Sequence, residues 1–88
     1  DFRSLTPDAY GAVLALGQVA AKAGMDAQLL ELVKLRASQI NGCAFCVQFH
    51  IMESEKLGVP ADKINLVVVW REAPQFSARE RAALGWTE

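Results

Sequence analysis

No stretch of this chain approaches the run of about eighteen uninterrupted apolar residues that a membrane span needs, and no basic flank leads into an apolar segment at its N-terminus. The chain therefore reads as soluble, unexported and cytoplasmic. Charge of one sign is missing too: nine Lys and Arg against ten Asp and Glu leave a formal net charge of −1, without a basic stripe or an acidic tail. That argues against nucleic acid and against an anionic membrane surface as partners. Histidine occurs once and cysteine twice. Two cysteines do not make the disulfide framework of a small secreted domain, so their chemistry points to redox work or metal ligation in a reducing compartment. Internal repeats and low-complexity segments are also lacking.

What the chain has in quantity is apolar content. With 88 residues, 52% of them hydrophobic, it is one domain at most, and a core of that size is only marginally stabilising. A monomer this short cannot bury all its large apolar side chains, which leaves a face for a partner subunit. A homo-oligomer is the expectation. The sequence opens without Met and stops at Glu88 inside what reads as a helix. Residues 1–88 are thus expected to form a single helical domain truncated at its C-terminus.

Helix signals fill the chain. Thr6, Pro7 and Asp8 suit a helix start, with the helix running to about Lys22 and Gly24 beyond its end. Asp26 caps a second helix in which Leu29, Leu30, Val33, Ala37 and Ile40 recur at helical spacing, broken at Asn41-Gly42. A third runs from Cys43 to about Leu57 and ends at Gly58, ahead of Pro60. The segment INLVVVW, 64–70, has three consecutive valines that favour a strand on propensity. It reads as helix nonetheless, because it follows Pro60-Ala61-Asp62 and a lone strand would have no partner. Ser77 with Glu80 forms a capping box opening a last helix. The fold class is all-α.

The chemistry concentrates in ELVKLRASQINGCAFCVQFH, residues 31–50. At about 100° per residue, Cys46 and His50 lie about 60° and 20° from Cys43 around a helix axis, so all three share one face. The cysteines occupy the first turn after Asn41-Gly42, where free amides and the helix dipole favour a thiolate and the CxxC spacing allows a disulfide. His50 is the one neutral-pH base within reach of a thiol nucleophile. If the chain folds back at Asn41-Gly42, Glu31 lies about 15 Å before the turn and His50 about 12 Å after it, bringing the two level. Carboxylate, imidazole and thiol in that order make a proton relay. Three of these donors with Glu31 as a fourth also make a candidate zinc site, and two small buried hydrophobes on a core face are the bland reading of the cysteines. Thioredoxin-like chemistry is excluded by the lack of a βαβ unit, and covalent haem attachment by Val47 where a histidine would stand.

Glu, eleven residues, Cys-x-x-Cys, three residues and His resembles the alkylhydroperoxidase D (AhpD)-like core of the carboxymuconolactone decarboxylase family. The segment WREAPQFSARERAALGWTE is similar to that family's following helices, so the resemblance covers roughly residues 26–88. It implies an all-α, oligomeric thiol peroxidase with the CxxC at the N-terminus of a central helix and no cofactor or metal. By the same resemblance Cys46 becomes the sulfenic acid, Cys43 is proton donor and resolving thiol, and Glu31 and His50 form the relay. A hydroperoxide is the implied substrate and an external dithiol, of lipoyl type, the implied reductant. The family's best characterised members carry a histidine directly before the second cysteine, where this chain has Phe45. Decarboxylase members generally lack the cysteine pair, which argues against lactone decarboxylation. The alternative class is a non-enzymatic redox sensor or zinc-stabilised helical oligomer. Phe45, Phe49 and Met52 read as core or subunit interface, with Trp70 a further aromatic expected at that interface.

Overall fold

A computed structural model describes residues 26–88, and the expected helix from Thr6 to Lys22 lies outside the described residues. Four α-helices and a 3-10 segment make up the described residues, with no strand among them: α1 (Ala27–Asn41), α2 (Ala44–Lys56), α3 (Ala61–Leu66), the 3-10 turn Val67–Glu72, and α4 (Ala78–Thr87). The chain is all-α, as the helix signals indicate.

Helix α1 starts where Asp26 accepts a hydrogen bond from the Leu29 amide at 2.8 Å, satisfying one of the free first-turn donors. It ends at Gly42, whose φ of 73° is left-handed. There the Gly42 amide bonds the Gln39 carbonyl at 3.1 Å and the Cys43 amide bonds the Ser38 carbonyl at 3.3 Å. This paired closure uses up the last carbonyls of α1 and turns the chain sharply back. Helix α2 ends in the same manner, with Gly58 at φ 82° and the Val59 amide on the Ser54 carbonyl at 3.0 Å. α1 and α2 form an antiparallel hairpin. At its open end Gln28 Nε2 donates to the Leu57 carbonyl at 2.8 Å, which fixes the register.

The core gathers Leu32 and Leu35 of α1 with Val59, Ile64, Val67, Trp70, Ala73, Phe76 and Leu84, and Val47 and Ile51 of α2 pack against it. Within α1 the buried apolar positions are Leu29, Leu32, Val33 and Leu35, whereas Ile40 is 51% exposed. The buried stripe thus lies rotated from the expected set, running through Glu31, Leu32, Leu35 and Ser38 and leaving Ile40 outside it.

INLVVVW is helical, but of two kinds. Ile64, Val67, Trp70, Ala73 and Phe76 are buried at every third position while Val68 and Val69 are about half exposed. A period of three matches the 3-10 helix, which the chain adopts from Val67 on, with a kink at Val69. Trp70, expected at a subunit interface, is instead 6% exposed within this core. The capping box is formed: Ser77 Oγ accepts from the Glu80 amide at 3.1 Å and Glu80 Oε1 from the Ser77 amide at 2.8 Å. Glu80 also pairs with Lys63 at 2.8 Å, tying α4 to α3. Arg81 donates to the carbonyls of Phe76, Arg71 and Ala73, which closes the end of the 3-10 turn onto α4. This second half of the fold packs against α1 through the 3-10 segment and α4.

Candidate active site

The left-handed turn at Gly42 sets Cys43 in place twice over. Its amide closes α1, and its side chain is the N-cap of α2, Sγ accepting from the Cys46 amide at 3.3 Å. Cys46 sits in the first turn of α2 with its Sγ 2.7 Å from that of Cys43. Both thiols are free and half-buried. His50 follows Cys46 by four residues on the same helix, which makes the two side chains neighbours about 5–6 Å apart at Cβ.

Across the hairpin, Glu31 projects from α1 into the interface with α2 and is 8% exposed. Its Oε1 lies 2.8 Å from His50 Nδ1. An ionised carboxylate there accepts the Nδ1 proton, fixing the tautomer and leaving Nε2 as the basic nitrogen. The other carboxylate oxygen, Oε2, is 3.4 Å from Lys34 Nζ, one turn along α1. Phe49 stands edge-on to the imidazole, ring centroids 5.2 Å apart at 79°. The structure thus brings Cys43 to Cys46 at the hairpin turn and Glu31 to His50 across the hairpin, with Cys46 and His50 one turn apart on α2. Lys34 is the member the motif did not single out, although the Glu-x-x-Lys spacing that brings it to Glu31 is an ordinary helical pairing signal.

Burial works to raise the Glu31 carboxyl, but its hydrogen bond to His50, the charge there and the nearby Lys34 outweigh it and hold the group below its ordinary value. Cys46 goes the other way. Burial first, then the hydrogen bond and charge of Cys43, push its thiol up to about 11, against a smaller opposite pull from the backbone amide. Two sulfurs this close disfavour a second negative charge, so Cys46 holds its proton more tightly than a free thiol does. With Nδ1 committed to Glu31, the four donors do not close around a common point, and among the described residues no group of three or more His, Cys, Asp or Glu is placed to hold a metal ion.

Residues 7–88 match the sequence profile of the carboxymuconolactone decarboxylase family. The chain belongs to this family. A Bacillus subtilis relative, the uncharacterized protein YdfG, is 29% identical over 87 residues, covering 99% of this chain and 59% of that protein. The uncharacterized protein YnjA of Escherichia coli is 36% identical over 64 residues, covering 73% of this chain and 35% of that protein. The chain thus spans about three fifths of the first and about a third of the second. Among solved structures, an Agrobacterium tumefaciens protein of unknown function, proposed to be the antioxidant defence protein AhpD, superposes with a TM-score of 0.72 at 45% identity. That match covers 99% of this chain and 60% of the Agrobacterium protein. Membership of the carboxymuconolactone decarboxylase family and an AhpD-like fold agree with the resemblance carried by the Glu, Cys-x-x-Cys and His spacing.

Proposed function

We propose that this chain is a thiol-dependent peroxidase of the AhpD type, reducing a hydroperoxide through a Cys43–Cys46 dithiol/disulfide cycle served by a Glu31–His50 relay. The observation that carries the reading is the 2.8 Å bond from His50 to Glu31 across the hairpin, one turn from a thiol that is 2.7 Å from its partner thiol. In the first step the Cys46 sulfur attacks the terminal peroxide oxygen and the O–O bond breaks. The thiol's proton passes through His50 Nε2 to the departing alkoxide, which leaves as alcohol, and Cys46 becomes the sulfenic acid. In the second step the Cys43 sulfur attacks that of Cys46, the S–S bond forms, and hydroxide leaves as water with the Cys43 proton. An external dithiol, of lipoyl type, then exchanges twice with the disulfide and emerges oxidised, having supplied the two electrons. The balance closes without a resident metal or cofactor: hydroperoxide and dithiol become alcohol, water and disulfide.

Phe45, Phe49 and Met52, 66%, 47% and 49% exposed along one side of α2, support assembly into a homo-oligomer through this apolar face. A cytoplasmic setting suits the reading, since it keeps the pair reduced. One observation favours a second reading. Two thiols 2.7 Å apart at a helix start also suit a redox sensor that closes its disulfide once and is not turned over. Turnover separates the two. Peroxide consumption is followed with several dithiols, lipoamide among them, at catalytic protein concentration. Many equivalents consumed per chain are expected for the peroxidase, and a single equivalent with every dithiol would refute it.

A further inference from the structure

We propose that Lys34 is a positioning residue of the relay: its ammonium holds the second carboxylate oxygen of Glu31 and offsets that carboxylate's charge, leaving the His50 imidazole able to take the proton of Cys46. This rests on the reading of Cys46, His50 and Glu31 as a proton relay.

The argument starts from a conflict built into the hairpin. A buried carboxylate in direct contact with Nδ1 orients the imidazole, but its charge also favours the imidazolium, and an imidazolium cannot accept the proton of Cys46. A thiol that keeps its proton to high pH makes a free base the condition for attack. A cation on the far oxygen of the same carboxylate resolves the conflict. Lys34 Nζ lies 3.4 Å from Glu31 Oε2 while His50 Nδ1 lies 2.8 Å from Oε1, so the carboxylate is held between them. Lys34 stands three residues after Glu31 on α1, with its side chain 27% exposed, so its charge is partly screened but not lost to bulk water. Among the described residues, the charged and titratable groups in contact with Glu31 are Lys34 of α1 and His50 of α2, and Cys43 and Cys46 stand at the start of α2. Glu53 and Lys56 of α2 pair with one another at 3.1 Å. Among the described residues Lys34 is therefore the cation placed to temper Glu31.

The sign follows. Removing a positive charge makes the neighbouring Glu31 carboxyl easier to protonate, so it titrates higher without Lys34. An NMR titration of the Glu31 carboxyl reads this without any turnover, in the parent chain, Lys34→Met and Lys34→Arg. Alongside it, the pH dependence of the first peroxide-consuming step is measured on the reduced protein. In Lys34→Met the Glu31 midpoint is expected to rise and the acid limb of the rate profile to move to higher pH. Lys34→Arg, which keeps the charge, is expected to return both to the parent values. Should Lys34→Met fail to fold, Lys34→Gln carries the same test with a polar stem. A midpoint unchanged in the neutral variants, or a shift that Arg does not restore, would overturn the assignment. A parent protein that consumes no peroxide would instead refute the proposed function, while the titration still decides what Lys34 does.

Discussion

Replacing Cys43 by Ser separates the charge of the first thiol from its structural role. Serine is a good N-cap, so the hydrogen bond to the Cys46 amide and the start of α2 survive, but the hydroxyl does not ionise. Two of the causes that raise Cys46, the hydrogen bond and the charge of the Cys43 sulfur, are weakened or lost, and the largest, burial, remains. The Cys46 thiol is therefore expected to fall from about 11 by about one unit, part of the way to its ordinary value. That is about tenfold more thiolate at any pH well below the midpoint. Each thiolate is about threefold less nucleophilic for the same change, so the net gain in alkylation at residue 46 is about threefold. Iodoacetamide labelling at pH 8, resolved by peptide mass spectrometry, measures it against the parent chain. In the same variant one equivalent of peroxide is consumed and the cycle halts at a Cys46 sulfenic acid that a dimedone-type probe captures. Labelling at Cys46 that is no faster, or a sulfenic acid that cannot be captured there, refutes the reasoning.

His50→Ala removes the base that takes the proton of Cys46, and peroxide attack measured by stopped flow is expected to slow by about a hundredfold. Glu31→Gln acts through the imidazole alone and should slow the same step less. Because the Glu31 carboxyl is depressed in the folded chain, its stabilising contribution is present above the unfolded value and is lost as pH falls through the lower, folded one. The gap in urea midpoint between the parent and Glu31→Gln should accordingly be open at pH 7 and close well below pH 4.5, and a gap that persists in acid would contradict the pairing. Gly42→Ala places a Cβ that meets nothing within 4 Å but imposes a φ of 73° on an L side chain. Backbone strain alone should cost about 1 kcal/mol in chemical denaturation. Leu35→Ala, at a site with 0% exposure, should cost about 3 kcal/mol, enough to leave a chain of this size only partly folded by circular dichroism.

Most helix boundaries are legible in local signals, because caps act over three or four residues. Asp26, Asn41-Gly42, Gly58 and the Ser77–Glu80 box each stand where a helix begins or ends. The thiol pair was equally legible, since a spacing of three within one helical turn leaves the sulfurs nowhere else to go. The run of three valines was harder. Its propensity points to a strand, and only burial at every third residue against Leu32, Leu35 and Leu84 accounts for the tightened helix. The face of α1 was likewise misjudged at Ile40, and Trp70 was expected at an interface, because helical periodicity identifies an apolar stripe but not the elements that come to cover it.

By itself, then, the sequence determined an all-α chain, the break at Gly42 and a base four residues after the second cysteine. The tertiary structure decided what depends on two helices lying side by side. The meeting of Glu31 with His50 and the burial of the Glu31 carboxyl and the Cys46 thiol cross from one helix to the other or arise from their packing. Nineteen residues separate Glu31 from His50, a distance over which no local preference acts. A left-handed glycine turned their distance along the chain into a hydrogen bond, and the register that core packing and the Gln28–Leu57 bond impose made it the right one.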